Sequence, residues 1–181
     1  MDAGFAKTVV HRIETDFTDP TLSAELASHI HTLPLTLPSA ATSAQVELDA
    51  KGTELWNLST RLKRRHDSGD TDTLCVLRVF AFLLLDTGQP TDRAPFQSRV
   101  RLLKVALKAA RFCLDGKQTE LCVKVLGRAA HYEEELAKPD NQLSPEDVAI
   151  YARLRAEYFA LRMALVGPPL GAAYACADAL V

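Results

Sequence analysis

The stretch Arg101–Leu114, RLLKVALKAARFCL, decides the fold class. Successive residues of an α-helix turn by about 100° around its axis. On that wheel Val100, Leu102, Leu103, Val105, Ala106, Leu107, Ala109, Ala110, Phe112, Cys113 and Leu114 sweep most of the circumference, while Arg101, Lys104, Lys108 and Arg111 are confined to one ribbon. A helix on the surface of a globule buries one stripe. A helix wet along a single ribbon is packed on two sides, as at the centre of a bundle or inside a stack of helices. The stretch therefore predicts an all-α fold.

Its neighbours repeat the pattern. From Thr119 to Leu136, Glu120, Lys124, Arg128, His131 and Glu135 fall on a narrow arc opposite Leu121, Cys122, Val125, Leu126, Ala129, Ala130 and Leu136. Ser144 as N-cap, Pro145 in the first turn and Asp147 three residues after the cap start a helix reaching about Val166. In it Leu154, Tyr158, Leu161 and Leu165 form one apolar row and Ala152, Ala156, Phe159 and Met163 another, which predicts neighbours on both sides. Upstream, Leu74–Leu85 holds one strongly polar residue, Arg78, and is expected to be the most buried helix. Ala44–Arg65 carries Leu48, Leu55, Leu58 and Leu62 at helical spacing, with Gly52 as a weak point.

Two further helices are expected from Phe5 to Ile13 and from Pro20 to His31, the second capped by Asp19. Leu33–Ser43 contains Pro34 and Pro38, which favour extended backbone, so it is read as a linker. The chain thus divides into residues 1–41, N-terminal helices and a proline-containing linker, and residues 42–181, a helical-repeat body. After Gly167, Pro168 and Pro169, Leu170–Val181 reads as the opening of one more helix. Its apolar character suggests an array cut from a longer one.

At 181 residues the chain suits one core, and a net charge of −2 argues against a protein held on nucleic acid or an anionic membrane by bulk charge. No apolar run approaches the roughly 20 residues of a membrane span. Cys75, Cys113, Cys122 and Cys176 show no CxxC spacing and are expected as reduced, mostly buried thiols. Met1 and Asp2 do not open a secretory signal, so an intracellular home is expected.

Motifs of catalysis are missing: the sequence has no glycine-rich phosphate loop, nucleophile elbow, HExxH or paired carboxylates, and no catalytic, metal or cofactor residues are assigned. His29 and His31 would point about 200° apart on a helix, which disfavours a metal pair. The one candidate surface is basic. Arg101, Lys104, Lys108 and Arg111, with Lys124 and Arg128 of the next helix, could take an acidic segment of a partner protein. The plainer alternative is a solvated face paired with Glu120 and Glu135. Nucleic acid is disfavoured because the ribbon lacks aromatic residues that stack on bases.

Helix pairs with two-sided burial suggest tetratricopeptide repeats, but the fourth and sixth helices start about 45 residues apart against the roughly 34 of that repeat. ELWNLSTRL (Glu54–Leu62), LRVFAFLLLD (Leu77–Asp86), RLLKVALKAARFCL and YFALRMAL (Tyr158–Leu165) resemble the N-terminal part of the meiotic scaffold family described as sporulation-protein-twenty-two or Zip-four-like, whose animal relative is the testis-expressed protein numbered eleven. The resemblance runs from Thr42 to the C-terminus and rests on packing positions. It implies paired antiparallel helices in a degenerate tetratricopeptide-like α-solenoid. It also implies a place on meiotic chromosomes in the nucleus and a non-enzymatic role gathering crossover and synapsis proteins. The alternative is an unrelated all-helical enzyme or small-ligand receptor with a pocket between helices.

Overall fold

The computed structural model describes residues 3–16, 19–32, 42–65, 71–89, 95–138 and 144–167. All the regular structure among them is helical: α1 (Ala3–Thr15), α2 (Pro20–Thr32), α3 (Thr42–Arg65), α4 (Thr71–Thr87), α5 (Phe96–Asp115), α6 (Thr119–Ala137) and α7 (Pro145–Val166). The expected starts and stops hold to within a few residues. Asp19 accepts the backbone N–H of Thr21 at 2.9 Å ahead of α2, and Ser144 accepts the N–H of Asp147 at 3.1 Å ahead of α7. The linker assigned to residues 33–43 and the helix expected at Leu170–Val181 lie wholly or mostly outside the described residues.

The tightest packing joins consecutive helices, α3 with α4 and α5 with α6. Gly52 explains the first pair. A methyl group there would lie 2.8 Å from Leu85 Cγ and 2.9 Å from the Leu85 nitrogen, so the hydrogen side chain lets two helix backbones nearly touch. What reads in sequence as a weak point in α3 is a point of close approach to α4.

Around these pairs, α1 packs on α3, α2 on α4, α4 on α5 and α6, and both α5 and α6 on α7. The first two helices therefore share the core with the rest. Cross-helix contacts also give the directions. Arg101 of α5 meets Asp49 of α3 at 3.2 Å, and Lys63 further along α3 sits 4.7 Å from the ring of Phe112 further along α5. Gln97 and Arg111 of α5 reach Asp147 and Glu157 of α7 in the same order. So α3, α5 and α7 run parallel. Gln118, just ahead of α6, and Arg128 within it likewise meet Asp72 and Asp86 of α4, which makes those two helices parallel.

As expected, α4 is the most buried helix: every residue from Thr73 to Thr87 is buried. Helix α5 hides its apolar arc while Arg101, Lys104, Lys108 and Arg111 stay exposed. Helix α7 departs from expectation. Leu154, Tyr158 and Leu161 are buried, but Ala152, Ala156, Phe159 and Met163 face outward. Two-sided burial of α7 is thus corrected to burial on one side among the described residues, since α5 and α6 both approach from that side.

Candidate partner-binding surface

The structure separates the six basic residues that the sequence groups together. Arg101 donates to Asp49 Oδ1 at 3.2 Å and Thr53 Oγ1 at 3.0 Å. Arg111 donates to Glu157 Oε1 at 2.9 Å. Lys124 turns toward α2 and donates to the carbonyl oxygen of Ile30, closing the C-terminus of that helix. Partial burial there pushes the ammonium below its usual range. Arg128 meets Asp86 on α4. Lys104 and Lys108 remain exposed, with no carboxylate within ion-pairing distance among the described residues. The pairing expected with Glu120 and Glu135 is replaced, because those acids have nearer partners: Glu120 lies 3.9 Å from the His31 imidazole, and Glu135 binds Lys138 at 2.5 Å and Arg99 at 3.5 Å.

Beneath the ribbon is a polar network that holds helices together. Asp86 receives Arg128 on one oxygen and the hydroxyl of Tyr132 on the other. Burial, followed by the negative charge of Asp86, pushes the Tyr132 phenol well above its ordinary value, so it stays a donor at any physiological pH. Arg78 is the odd group. Its guanidinium lies 4.3 Å from the Phe112 ring centroid and 5.6 Å from that of Trp56, with its Nε buried and without a hydrogen bond. Aromatic faces attract a cation by their quadrupole and so stand in for a carboxylate here. Cys75, Cys113 and Cys122 are buried free thiols, as expected.

The surface that sequence reasoning misjudged is the outer face of α7. Val148, Phe159, Met163 and Val166 are 50%, 43%, 74% and 84% exposed. At about 100° per residue they fall on one arc with Ala149, Ala152, Ala156, Ala160 and Ala164, all of them exposed. Arg155 and Arg162 border the arc on one edge and Arg153 on the other. Val148, Tyr151, Ala152, Arg155, Ala156 and Phe159 line an open groove of about 570 Å³. Its α6 side is pinned by Glu133, which accepts the Tyr151 hydroxyl at 2.9 Å and faces Arg155 Nε at 3.1 Å. Burial, then that hydrogen bond, raises the Tyr151 phenol to about 12. The sequence signal for this face was present as the second apolar row. What it did not reveal was that the row is uncovered.

Comparison with family models, with curated proteins and with solved structures gives no match. Among the described residues no group of histidines, cysteines and acids is placed to hold a metal ion, and no helix is long and apolar enough to cross a membrane.

Proposed function

We propose that this chain is a non-enzymatic protein–protein interaction scaffold of the kind its sequence resembles, gathering crossover and synapsis proteins on meiotic chromosomes. Its paired helices form a degenerate tetratricopeptide-like solenoid. The parallel run of α3, α5 and α7, with α4 and α6 parallel to each other, supports that arrangement, since each pair of such an array stacks on the next. One observation carries the scaffold reading: the outer face of α7 presents Val148, Phe159, Met163 and Val166 to solvent together. Contiguous apolar patches on soluble proteins mark surfaces that bind other macromolecules. The groove on that face is apolar, and its two polar residues, Tyr151 and Arg155, are already tied to Glu133. A ligand pocket needs polar groups that converge and are free to bind. Lys104 and Lys108 offer a secondary contact for acidic segments.

Affinity capture from meiotic nuclei tests the reading, comparing the chain with the double variant Phe159→Glu, Met163→Glu. The wild-type chain is expected to retain crossover or synapsis proteins, and the variant to lose them while keeping its helical circular dichroism. Recovery of no chromosomal protein by the wild-type chain would overturn the meiotic scaffold.

A further inference from the structure

We infer that the furrow between α3 and α5 takes a short, extended acidic segment of a partner protein, with successive carboxylates on Lys104, Lys108 and Arg64. The inference rests on the scaffold reading; it gives the lysines of α5 a second wall and names their occupant.

Two contacts between these parallel helices set the furrow. Arg101 reaches Asp49 and Thr53 near its start, and Lys63 lies over the Phe112 ring near its end. Lys104 and Lys108, between those anchors on α5, therefore stand across from the middle of the matching stretch of α3. At about 100° per residue, Thr53, Asn57, Thr60 and Arg64 share one arc of that stretch, and Asn57 and Arg64 are exposed. One wall is thus cationic, and the other is polar with a cation toward its end.

Most charges around the furrow are already answered. Arg101 is held by Asp49, and Arg111 by Glu157 of α7. Lys51 pairs with Glu54, and Glu47 with Lys7, on the sides of α3 turned away from α5. On α7, exposed Arg153 and Glu146 offset one another in sign. What remains among the described residues is Arg61, Arg64, Lys104 and Lys108, exposed and without an ion pair, against the acid Asp115 at the end of α5. The furrow carries positive charge that the chain does not neutralise.

The ribbon itself shows what answers it. Asp49 toward one end and Glu157 toward the other each supply a carboxylate to an arginine, while the two lysines between have none. Like charges four residues apart on a helix repel, so a pair of incoming carboxylates relieves a repulsion that the chain leaves standing. The spacing fits an extended peptide. Lys104 and Lys108 are about 6 Å apart along the helix axis, and alternate side chains of an extended strand, which point the same way, are about 7 Å apart. Asn57 on the opposite wall can both donate to and accept from a peptide backbone. Nucleic acid fits less well. Its affinity comes from many phosphates along a continuous positive track, and here Asp49, Glu157 and Asp115 interrupt the track on either side of the lysine pair.

The test uses the whole chain, two short labelled peptides and a labelled DNA duplex. One peptide has glutamate at alternate positions and the other has glutamine there, on the same serine background. Fluorescence anisotropy reads the affinities. Three exposed ion pairs of ordinary strength amount to about tenfold, so the glutamate peptide is expected to bind about tenfold tighter than the glutamine peptide at low salt. The duplex is expected to bind no tighter than the glutamate peptide. The preference for glutamate should shrink in high salt. Lys104→Glu and Lys108→Glu are each expected to remove most of it. Arg153→Glu, an equal change of charge outside the furrow, is expected to leave it intact. Helical circular dichroism checks that each variant is folded.

Equal binding of the two peptides, or binding of neither, overturns the inference and leaves the furrow a solvated face. An equal loss in Arg153→Glu overturns it as well, since a general positive field would then be enough. A duplex that binds more tightly than the glutamate peptide and is released by Lys104→Glu assigns the furrow to phosphates instead. None of these outcomes bears on capture from meiotic nuclei, which turns on Phe159 and Met163 of α7, so the scaffold reading fails or succeeds separately.

Discussion

Arg128 on α6 meets Asp86 on α4 at 2.5 Å, with the carboxylate wholly shielded from solvent and the guanidinium nearly so. The residue that the sequence assigns to a wet arc is an internal tie between two parallel helices. Removing one member of a buried pair strands the other's charge. Arg128→Met is therefore expected to cost about 3–5 kcal/mol in urea unfolding. Arg111→Ala, whose pair with Glu157 is open to solvent, is expected to cost no more than about 1 kcal/mol. Similar losses for the two would mean the Asp86 contact is not a structural tie.

Gly52→Ala tests the close approach of α3 and α4. In an exposed helix interior, alanine for glycine usually stabilises, by about 0.5–1 kcal/mol. Here the added carbon meets Leu85 and the carbonyl oxygen of Ala81 at 3.0 Å or less, and the backbone groups among these have no rotamer to yield. Overpacking is expected to win, with a net loss of about 1–3 kcal/mol on thermal or urea unfolding. A gain in stability would show that the helix pair opens freely.

The corner between α1 and α2 carries a pH dependence. Hydrogen bonds from Thr21, then from Arg12, hold the Asp19 carboxyl down at about 2 against an ordinary 3.8. The folded state therefore binds this proton more weakly than the unfolded state. Its stabilisation is complete above about pH 4 and drains away as pH falls toward about 2. Asp19→Asn is expected to melt below wild type at neutral pH, with the two melting temperatures converging across that acid window. A gap independent of pH would assign the effect to something other than the carboxylate's charge.

Reversing Lys104 and Lys108 to Glu is expected to leave the fold intact, because both side chains are exposed and neither is paired within the described residues. The reversal also breaks up a run of four like charges at spacings of three and four along α5 by changing the sign of the middle two, so a slight rise in melting temperature is expected. If the ribbon contributes to partner capture, the loss is largest at low salt. Undiminished capture at low salt would leave α7 as the working surface.

Helix content and most helix limits follow from local rules: the spacing of apolar residues, the caps at Asp19 and Ser144, the prolines at 20 and 145. These act within a few residues, so a linear chain displays them. Burial of α4 and the wet ribbon of α5 follow for the same reason, since a helix with one polar residue or one polar stripe has few ways to sit. The basic surface was less determined. Arg101 and Arg111 stand on one ribbon in sequence, but the acids that reach them, Asp49 and Glu157, come from helices remote in the chain. Lys124 was drawn to the end of α2, whose carbonyls no periodicity of α6 announces.

Sequence by itself determined an all-helical protein whose helices each carry broad apolar surface, because side-chain pattern and backbone periodicity are properties of a single segment. Which surface is covered was decided by the tertiary structure alone. Helix α7 has two apolar rows of similar character, and the row of Leu154, Tyr158 and Leu161 is buried because α5 and α6 both lie on that side. Burial is a relation between two elements rather than a property of one, so Phe159 and Met163, as apolar as their buried counterparts, are left facing water.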